Sequence, residues 1–437
     1  MQYIADFHIH SKYSRATSQK MDLEYLDQWA KIKGIDVLGT GDFTHPKWFK
    51  ELKEKLEPLG NGLYKLQNRA MEKARLETAN NFFKEKSQKT NFILSTEISC
   101  IYSKNDKVRR IHIMIFVPSL EVAEKINIQF SWIGNLKADG RPILGLDAKE
   151  LAKIALEISE ECLIVPAHIW TPWFSLFGSQ GGFDSIEECF EELTPQIYAL
   201  ETGLSSDPAM NWRLSALDNY TLISNSDAHS LANLGREANV FEGNDLSYSS
   251  IIKALKRGKA NDLTEDLKLI YTIEFFPEEG KYHYDGHRSC KIRFSPEETK
   301  RAQGICPKCK KLLTVGVMNR VVSLADRDKG IKPEGAANYK NLVPLQEIIA
   351  EALDKAKGTK AVDEEYQNLV KKGKNEFNIL LNLSYQELKK ITLSKIIEGI
   401  KRVREGKIEV LPGYDGVYGT VKAFPEGIKE VKQTSLF

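Results

Sequence analysis

Seven short apolar runs between residue 1 and about residue 245 each carry or precede a residue able to hold a metal, and this pattern constrains the fold most. The runs are Tyr3 to Phe7, Ile35 to Leu38, Phe92 to Ser95, Ile111 to Val117, Cys162 to Pro166, Ile197 to Leu200 and Thr221 to Ser224. Amphipathic stretches such as Leu23 to Ile32 and Asp147 to Ser159 lie between them. Buried strands alternating with helices predict parallel β/α units, a barrel or a doubly wound sheet. His8 and His10 follow the first run, Asp42 and His45 the second, and Glu97 the third; His112 lies within the fourth. His168 follows the fifth, Glu201 the sixth, and Asp227 and His229 the seventh. In a β/α barrel the C-terminal strand ends face one site, so these residues converge without further assumption.

The opening Asp6-x-His8-x-His10 shows the chemistry on a small scale. Alternate strand side chains share a side, and two neutral imidazoles there suit zinc, manganese or iron. Asp6 either orients an imidazole or is simply a buried strand residue. With 437 residues, 42% hydrophobic and 28% charged, the composition is that of an ordinary soluble protein with one large domain and one or two smaller ones. No apolar run is long enough for a membrane span, and no secretory leader is visible. A cytoplasmic protein without membrane contact is expected, its six cysteines reduced. The net charge of +2 hides an asymmetry. Residues 1–300 hold 37 Lys+Arg against 43 Asp+Glu, while residues 301–437 hold 25 against 17. An acidic front suits cations, and a basic back suits a polyanion such as nucleic acid.

His8-x-His10, Gly41-Asp42, Glu97, His112, His168 and Asp227-Ala-His229 resemble the motifs of the polymerase and histidinol phosphatase (PHP) superfamily. That resemblance implies a distorted (β/α)7 barrel with a two- or three-metal phosphoesterase site using Zn, Mn or Mg. It implies that His8, His10, Glu97 and Asp227 hold one metal and that Glu97, His112 and His168 hold a second, with Glu97 bridging. The family commonly places a third-metal histidine directly after the second-motif Asp; here Phe43 stands there and His45 follows two residues on. Whether Asp42, His45 and His229 complete a third site is left open, with Asp42 either a ligand or a support. Paired cations can acidify a bridging water and clamp both oxygens of an in-line phosphoryl displacement.

A second landmark is His287-Arg-Ser-Cys290 followed by Cys306-Pro-Lys-Cys309. Two ligand pairs of this spacing can bracket one tetrahedral zinc with a structural role. His287 is the inferred fourth ligand and His283 the alternative. Together with Thr314-Val-Gly-Val317 and Pro412-Gly-Tyr-Asp-Gly416-Val-Tyr-Gly419, these motifs resemble the endonuclease Q family across nearly the whole chain. The resemblance implies nicking of DNA 5′ to deaminated bases (uracil, hypoxanthine, xanthine) and abasic sites, leaving a 3′-hydroxyl and a 5′-phosphate. Other readings are a 3′ to 5′ exonuclease, a small-molecule phosphatase, or a DNA-binding adaptor without catalysis.

The expected domains are the barrel over 1–270, a zinc-binding region over 271–325, a helical DNA-binding domain over 326–427 and a tail over 428–437. Between the fifth and sixth strands, Trp170, Trp173 and Phe174 open an aromatic, glycine-containing loop that can stack on bases. Lys355 to Glu365 reads as a polar connector, and Arg109 and Arg110 as surface charge. In the helical part, Lys401, Arg402 and Arg404 lie where they could meet phosphates. The ending Gln433-x-x-Leu436-Phe437 resembles the peptide by which bacterial repair proteins dock on the sliding clamp.

Overall fold

The computed structural model describes residues 1–68, 90–256 and 267–424. Strand β1 (Gln2–Asp6) is followed by a helix, Leu23–Lys33, whose boundaries are written in its sequence. The Asp22 side chain accepts from the Tyr25 N–H at its start, and Gly34 ends it at φ +91°. Its Leu23, Leu26 and Ala30 face is buried. β2 (Val37–Gly39), a helix Pro46–Lys55, β3 (Leu56–Pro58), β4 (Tyr64–Leu66) and β5 (Asn91–Ile93) come next. β1, β2 and β5 pair in parallel, as alternating units require.

The next stretch departs from the parallel expectation. β6 (Ser95–Lys104) and β7 (Lys107–Phe116) form a long antiparallel hairpin. Its turn residues, Asn105 and Asp106, both sit in the left-handed region at φ +53° and +55°. That conformation fits a two-residue turn matched to strand twist, and Asn and Asp tolerate it. Glu97 and His112 thus come from one hairpin rather than from two parallel strand ends. Glu97 pairs with Met114 and Ser99 with His112, so both functional side chains share a face.

The chain continues through β8 (Ile143–Leu144), β9 (Leu163–Pro166), β10 (Ala199–Glu201), β11 (Thr221–Ile223), β12 (Ala238–Gly243) and β13 (Leu267–Glu274). β14 (Asp285–His287) and β15 (Ile292–Phe294) make a hairpin, and β16 (Asn338–Asn341) returns to the barrel. Among the described residues one sheet runs β16-β13-β12-β1-β2-β5-β4-β3, a second β8-β6-β7-β9, and β10 pairs with β11. β12 is antiparallel to β1 and β13 to β12, and β9 is antiparallel to β7. The barrel is therefore a distorted one of mixed strand direction.

β16 pairs with β13, so a boundary at 326 would cut off a strand of the barrel's own sheet. Helices follow at Leu345–Ala352, Lys360–Lys372 and Ser394–Arg404. The stretch read as a polar connector therefore ends inside a helix, whose Val362, Tyr366, Leu369 and Val370 are buried. A buried ion pair ties this region to the barrel: Lys33 Nζ lies 2.7 Å from Glu376 Oε2, and Glu376 also accepts from the Tyr366 hydroxyl at 2.6 Å. A last hairpin, β17 (Glu409–Leu411) and β18 (Thr420–Lys422), closes the described chain. Among the described residues no helix is long and apolar enough to cross a membrane.

Candidate metal centres

Three strand ends turn inward on strained backbone. Asp42, His168 and Asp227 have φ of +48°, +31° and +46°, the left-handed region that costs a non-glycine residue roughly 1 kcal/mol or more. The result is two ligand groups. His8, His10, Glu97 and Asp227 each offer one ligand atom, all within 4.8 Å of one another, and Glu97, His112 and His168 do the same.

Glu97 belongs to both groups. Its Oε2 lies 3.4 Å from His8 Nε2 and 3.2 Å from His10 Nε2. Its Oε1 lies 2.7 Å from His112 Nδ1 and 2.9 Å from His168 Nε2. One buried carboxylate thus presents an oxygen to each cluster.

These residues fit divalent cations. His8 Nε2, His10 Nε2 and Asp227 Oδ1 are buried without a hydrogen-bond partner. Such atoms cost about 1–3 kcal/mol each when left unsatisfied. Mixed imidazole and carboxylate donors are the set that zinc, manganese and related ions take. A cation held by His8, His10, Glu97 and Asp227 would satisfy all three.

The far side of three of the imidazoles, those of His8, His10 and His168, is held. Glu201 oxygens lie 3.0 Å from His8 Nδ1, and the same carboxylate accepts from the His168 N–H at 2.8 Å and Asn225 Nδ2 at 2.9 Å. Asp42 Oδ1 lies 2.9 Å from His10 Nδ1, while Oδ2 accepts from the N–H and hydroxyl of Ser11, each at 2.7 Å. Thr171 Oγ1 lies 3.2 Å from His168 Nδ1. A proton held on each Nδ1 leaves Nε2 with its lone pair toward the cluster. Asp42 is thus placed as a support rather than as a ligand.

Electrostatics follow from burial and these carboxylates. Burial opposes the imidazolium of His8, yet Glu201 and Glu97 raise its pKa well above the ordinary value. Burial dominates at His112 and pushes it down to about 4 against the pull of Glu97. Glu97 is held well below the usual carboxylate range, because His112, Arg141 and His8 outweigh its burial.

Two contributors were not assigned from the sequence. Glu201 was visible there as a polar residue after the sixth run; an acidic residue ending a strand beside a histidine ligand was its signal. Arg141, whose Nη1 lies 3.1 Å from Glu97 Oε2, had none, since it arrives on a loop from outside the strands. That loop approaches closely at Gly140, where a Cβ would lie 2.3 Å from Asp42 Oδ2. Asp6 accepts from Ser226 N–H at 3.0 Å, Ser226 Oγ at 2.6 Å and Gly235 N–H at 2.9 Å. It steadies the loop carrying Asp227 rather than an imidazole.

Neither His45 nor His229 joins a third group, and among the described residues this face carries two. The His45 ring stacks on Tyr13 with centroids 4.5 Å apart. His229 Nδ1 bonds the Asp227 carbonyl at 2.9 Å. Phe43, which stands where the family has a ligand, is fully buried.

His287, Cys290, Cys306 and Cys309 form the other ligand group, with ligand atoms within 4.8 Å. His287 ends β14, and Cys290 lies in the turn before β15. Burial would raise the Cys306 thiol, yet the N–H groups of Cys309 and Lys308 draw it down to about 6, toward the thiolate a zinc needs. His283, the alternative ligand, is buried, packs on Tyr284 and lies outside the group.

Several residues expected at DNA are placed otherwise. Trp170 is 1% exposed and donates from Nε1 to Asn211 Oδ1 at 2.7 Å, so it belongs to the core. Arg404 donates to the carbonyls of Leu380, Leu383 and Ile379 at 2.7–2.8 Å, which spends its guanidinium inside the helical region. Arg402 is paired with Glu398 at 2.9 Å, and Lys401 is exposed. Trp173 is exposed, and the Phe174 ring packs 4.9 Å from His112. Arg109, expected on the surface, is buried with its guanidinium 3.9 Å over the Phe183 ring. Gln433, Leu436 and Phe437 lie outside the described residues.

A family model described as PHP-associated matches residues 212–260, and one described as the MJ0043 C-terminal domain matches residues 344–407. Uncharacterized protein MJ0043 of Methanocaldococcus jannaschii is 32% identical over 318 residues, covering 70% of this chain, which spans only 38% of that protein. Uncharacterized protein YqxK of Bacillus subtilis is 27% identical over 433 residues, covering 96% of this chain and 98% of its own. Among solved structures, the lesion-specific endonuclease PfuEndoQ from Pyrococcus furiosus superposes with a TM-score of 0.82 at 30% identity, over 98% of this chain and 96% of that one. An endonuclease Q complex with a 27-mer duplex substrate, an abasic lesion at its active site, matches over 100% of both chains, with a TM-score of 0.81 and 30% identity. With two clusters joined through Glu97, a Cys3His group behind them and likeness over its whole length, the chain belongs to the endonuclease Q family.

Proposed function

We propose that this protein is a metal-dependent DNA repair endonuclease of the cytoplasm that nicks duplex DNA 5′ to deaminated bases and abasic sites, leaving a 3′-hydroxyl and a 5′-phosphate. The observation carrying this reading is Glu97, one buried carboxylate serving two ligand groups in a member of the endonuclease Q family. His8, His10, Glu97 and Asp227 would hold one divalent cation, and Glu97, His112 and His168 a second. When bound, such a pair supplies an acidified water and charge neutralisation on the reacting phosphate. Glu201, Asp42 and Thr171 keep the histidine lone pairs aimed inward, so that no reorientation is needed when substrate arrives. Arg141, beside Glu97, adds a fixed positive charge next to the shared carboxylate.

The lesion specificity and the position of the nick rest on the family. A deaminated base differs from the normal one in its donors and acceptors, and a damaged pair costs less to open. The Cys3His group would hold one structural zinc and the shape of the region around β14 and β15. Within the helical part, Lys401 is the remaining candidate for phosphate contact. Docking of Gln433, Leu436 and Phe437 on a sliding clamp is supported by the sequence pattern alone. The test is a set of end-labelled duplexes carrying uracil, hypoxanthine, an abasic site or no lesion, incubated with protein and Mn2+ or Mg2+. Internal nicks confined to lesions support the reading; trimming from the ends or no cleavage would sink it.

A further inference from the structure

The glycine-rich segment Pro412 to Gly419 takes no part in either metal group, yet its backbone is fixed. Gly413, Gly416 and Gly419 donate their N–H groups to the carbonyls of Glu278, Lys281 and Glu279 at 2.8, 2.8 and 3.0 Å. The approach is too close for side chains: a Cβ on Gly419 would lie 2.1 Å from the Glu278 carbonyl, and one on Gly413 2.5 Å from that of Gly280. Asp415 completes the clamp, accepting from the Arg288 N–H at 2.6 Å and the Thr314 hydroxyl at 2.7 Å. The clamped segment presents Tyr418 to solvent, 71% exposed.

Tyr418 is one of three aromatic rings in a row. Lys281 Nζ sits 5.6 Å from the Tyr418 ring centroid and 5.9 Å from that of Tyr282. Tyr282 in turn meets Trp173 edge to face at 5.2 Å, and Trp173 is 43% exposed. Arg288 lies alongside: a Cβ on Gly416 would touch its Nη1 at 3.4 Å and the Tyr282 hydroxyl at 3.8 Å. Three chain segments far apart in sequence thus assemble two exposed rings, Trp173 and Tyr418, around the half-buried Tyr282, with two cations beside them.

This row begins at the metal site. Thr171 Oγ1, which supports His168 Nδ1, donates to the Trp173 carbonyl at 2.9 Å. The next residue, Phe174, accepts from the His112 N–H at 3.2 Å. Trp173 is therefore pinned between ligands of one cluster and the zinc-side residue Tyr282. Aromatic faces with adjacent cations are what unpaired nucleotides bind, the rings stacking on any base and the cations tracking the phosphates.

We propose that Trp173, Tyr282 and Tyr418, with Lys281 and Arg288, form a stacking platform for an unpaired stretch of DNA leading from the metal centre. It rests on the reading of the substrate as DNA. It adds a grip on bases other than the lesion, tolerant of sequence and paid out along one strand. Opening a duplex at a lesion would expose the strand that this platform holds.

The test is the affinity of the full-length protein for labelled oligothymidylate of about ten nucleotides, against a strand of equal length and charge whose sugars carry no bases. Wild type is expected to prefer the thymidine strand by about tenfold or more, since stacking on one ring contributes that order of affinity. Trp173→Ala and Tyr418→Ala should each lower this preference by about the contribution of one ring, several-fold to tenfold, and Tyr418→Phe should keep it. Lys281→Ala should instead lower the slope of log affinity against log salt by about 0.7. Equal binding of the two strands by wild type, or an undiminished preference in both alanine variants, would overturn the platform. Nicking of lesion duplexes is scored separately, so loss of the platform with nicking intact leaves the endonuclease reading standing, and the converse leaves the platform.

Discussion

The two metal-type regions use ligands in opposite ways. In the barrel, ligands come from β1, the β6–β7 hairpin and the ends of β9 and β11, all anchored in sheet. Each ligand histidine of His8, His10 and His168 has a partner on its other nitrogen, and ligand atoms with no hydrogen-bond partner face a common interior. Near β14 and β15, three thiols and one imidazole come from a hairpin and tight turns, with Cys309 Sγ 3.2 Å from His287 Nδ1. The lesson is that the supporting framework, as much as ligand identity, separates a reactive centre from a structural one. The first is preorganised and has a cationic Arg141 beside it; the second would close around an ion with no position left for substrate.

Substitutions can break this contrast, beginning with the largest effect. Glu97→Gln removes the carboxylate shared by both clusters, and lesion nicking should fall by about 10³-fold or more, while thermal melting moves little. Activity within tenfold of wild type would show that the two groups do not work together. Cys306→Ser should do the reverse. Metal analysis should find one zinc fewer per chain, and limited proteolysis should open the segment around β14 and β15, since such small sites fold with their ion. If that variant kept its full zinc content, the Cys3His group would not be the zinc site.

A finer comparison lies within the barrel. Asp42→Asn and Glu201→Gln leave every ligand in place but weaken the hold on His10 and His8. Each should cost about 10- to 100-fold in nicking rate or metal affinity, measured by titration of metal-stripped protein. An unchanged Asp42→Asn variant would mean that ring orientation is set by packing alone. Arg404→Ala and Lys401→Ala split the helical region in the same manner. The first should lower unfolding free energy by about 2 kcal/mol, because three carbonyls lose a charged donor. The second should leave stability alone and reduce only the salt dependence of DNA binding.

The smallest effect concerns acidic groups outside both centres. Burial, together with nearby Asp207, pushes Glu274 up to about 8 from 4.5. The folded chain keeps a proton there that the unfolded chain releases, so the stability it contributes at low pH is lost as pH rises from about 4.5 through 8. Glu274→Gln should therefore melt a few degrees higher than wild type above that window and no higher below it; a pH-independent difference would count against the buried acid.

Much of the active face was legible because His8, His10, His168 and Asp227 follow strand ends, where apolar runs stop and His or Asp begins, while Glu97 and His112 lie inside the β6–β7 hairpin beside the runs. His8, His10, Glu97, His112, His168 and Asp227 all come together as that pattern implied. The β6–β7 hairpin was not legible: its apolar runs look alike in either direction, and the Asn105-Asp106 turn lies beyond the run that was read. Arg141 and the inward course of Arg404 depend on contacts made by distant loops, which no local pattern records. Trp170 and Trp173 stand three residues apart in one aromatic loop, yet one is core and the other surface; only packing against Asn211 and Tyr282 separates them.

The most direct measurement is single-turnover cleavage of an end-labelled duplex with one abasic site, comparing wild type with Glu97→Gln in the presence of Mn2+. The account predicts a single internal nick on the 5′ side of the lesion for wild type, and none above background for the variant. Equal cleavage by both proteins, or products shortened only from the ends, would contradict it.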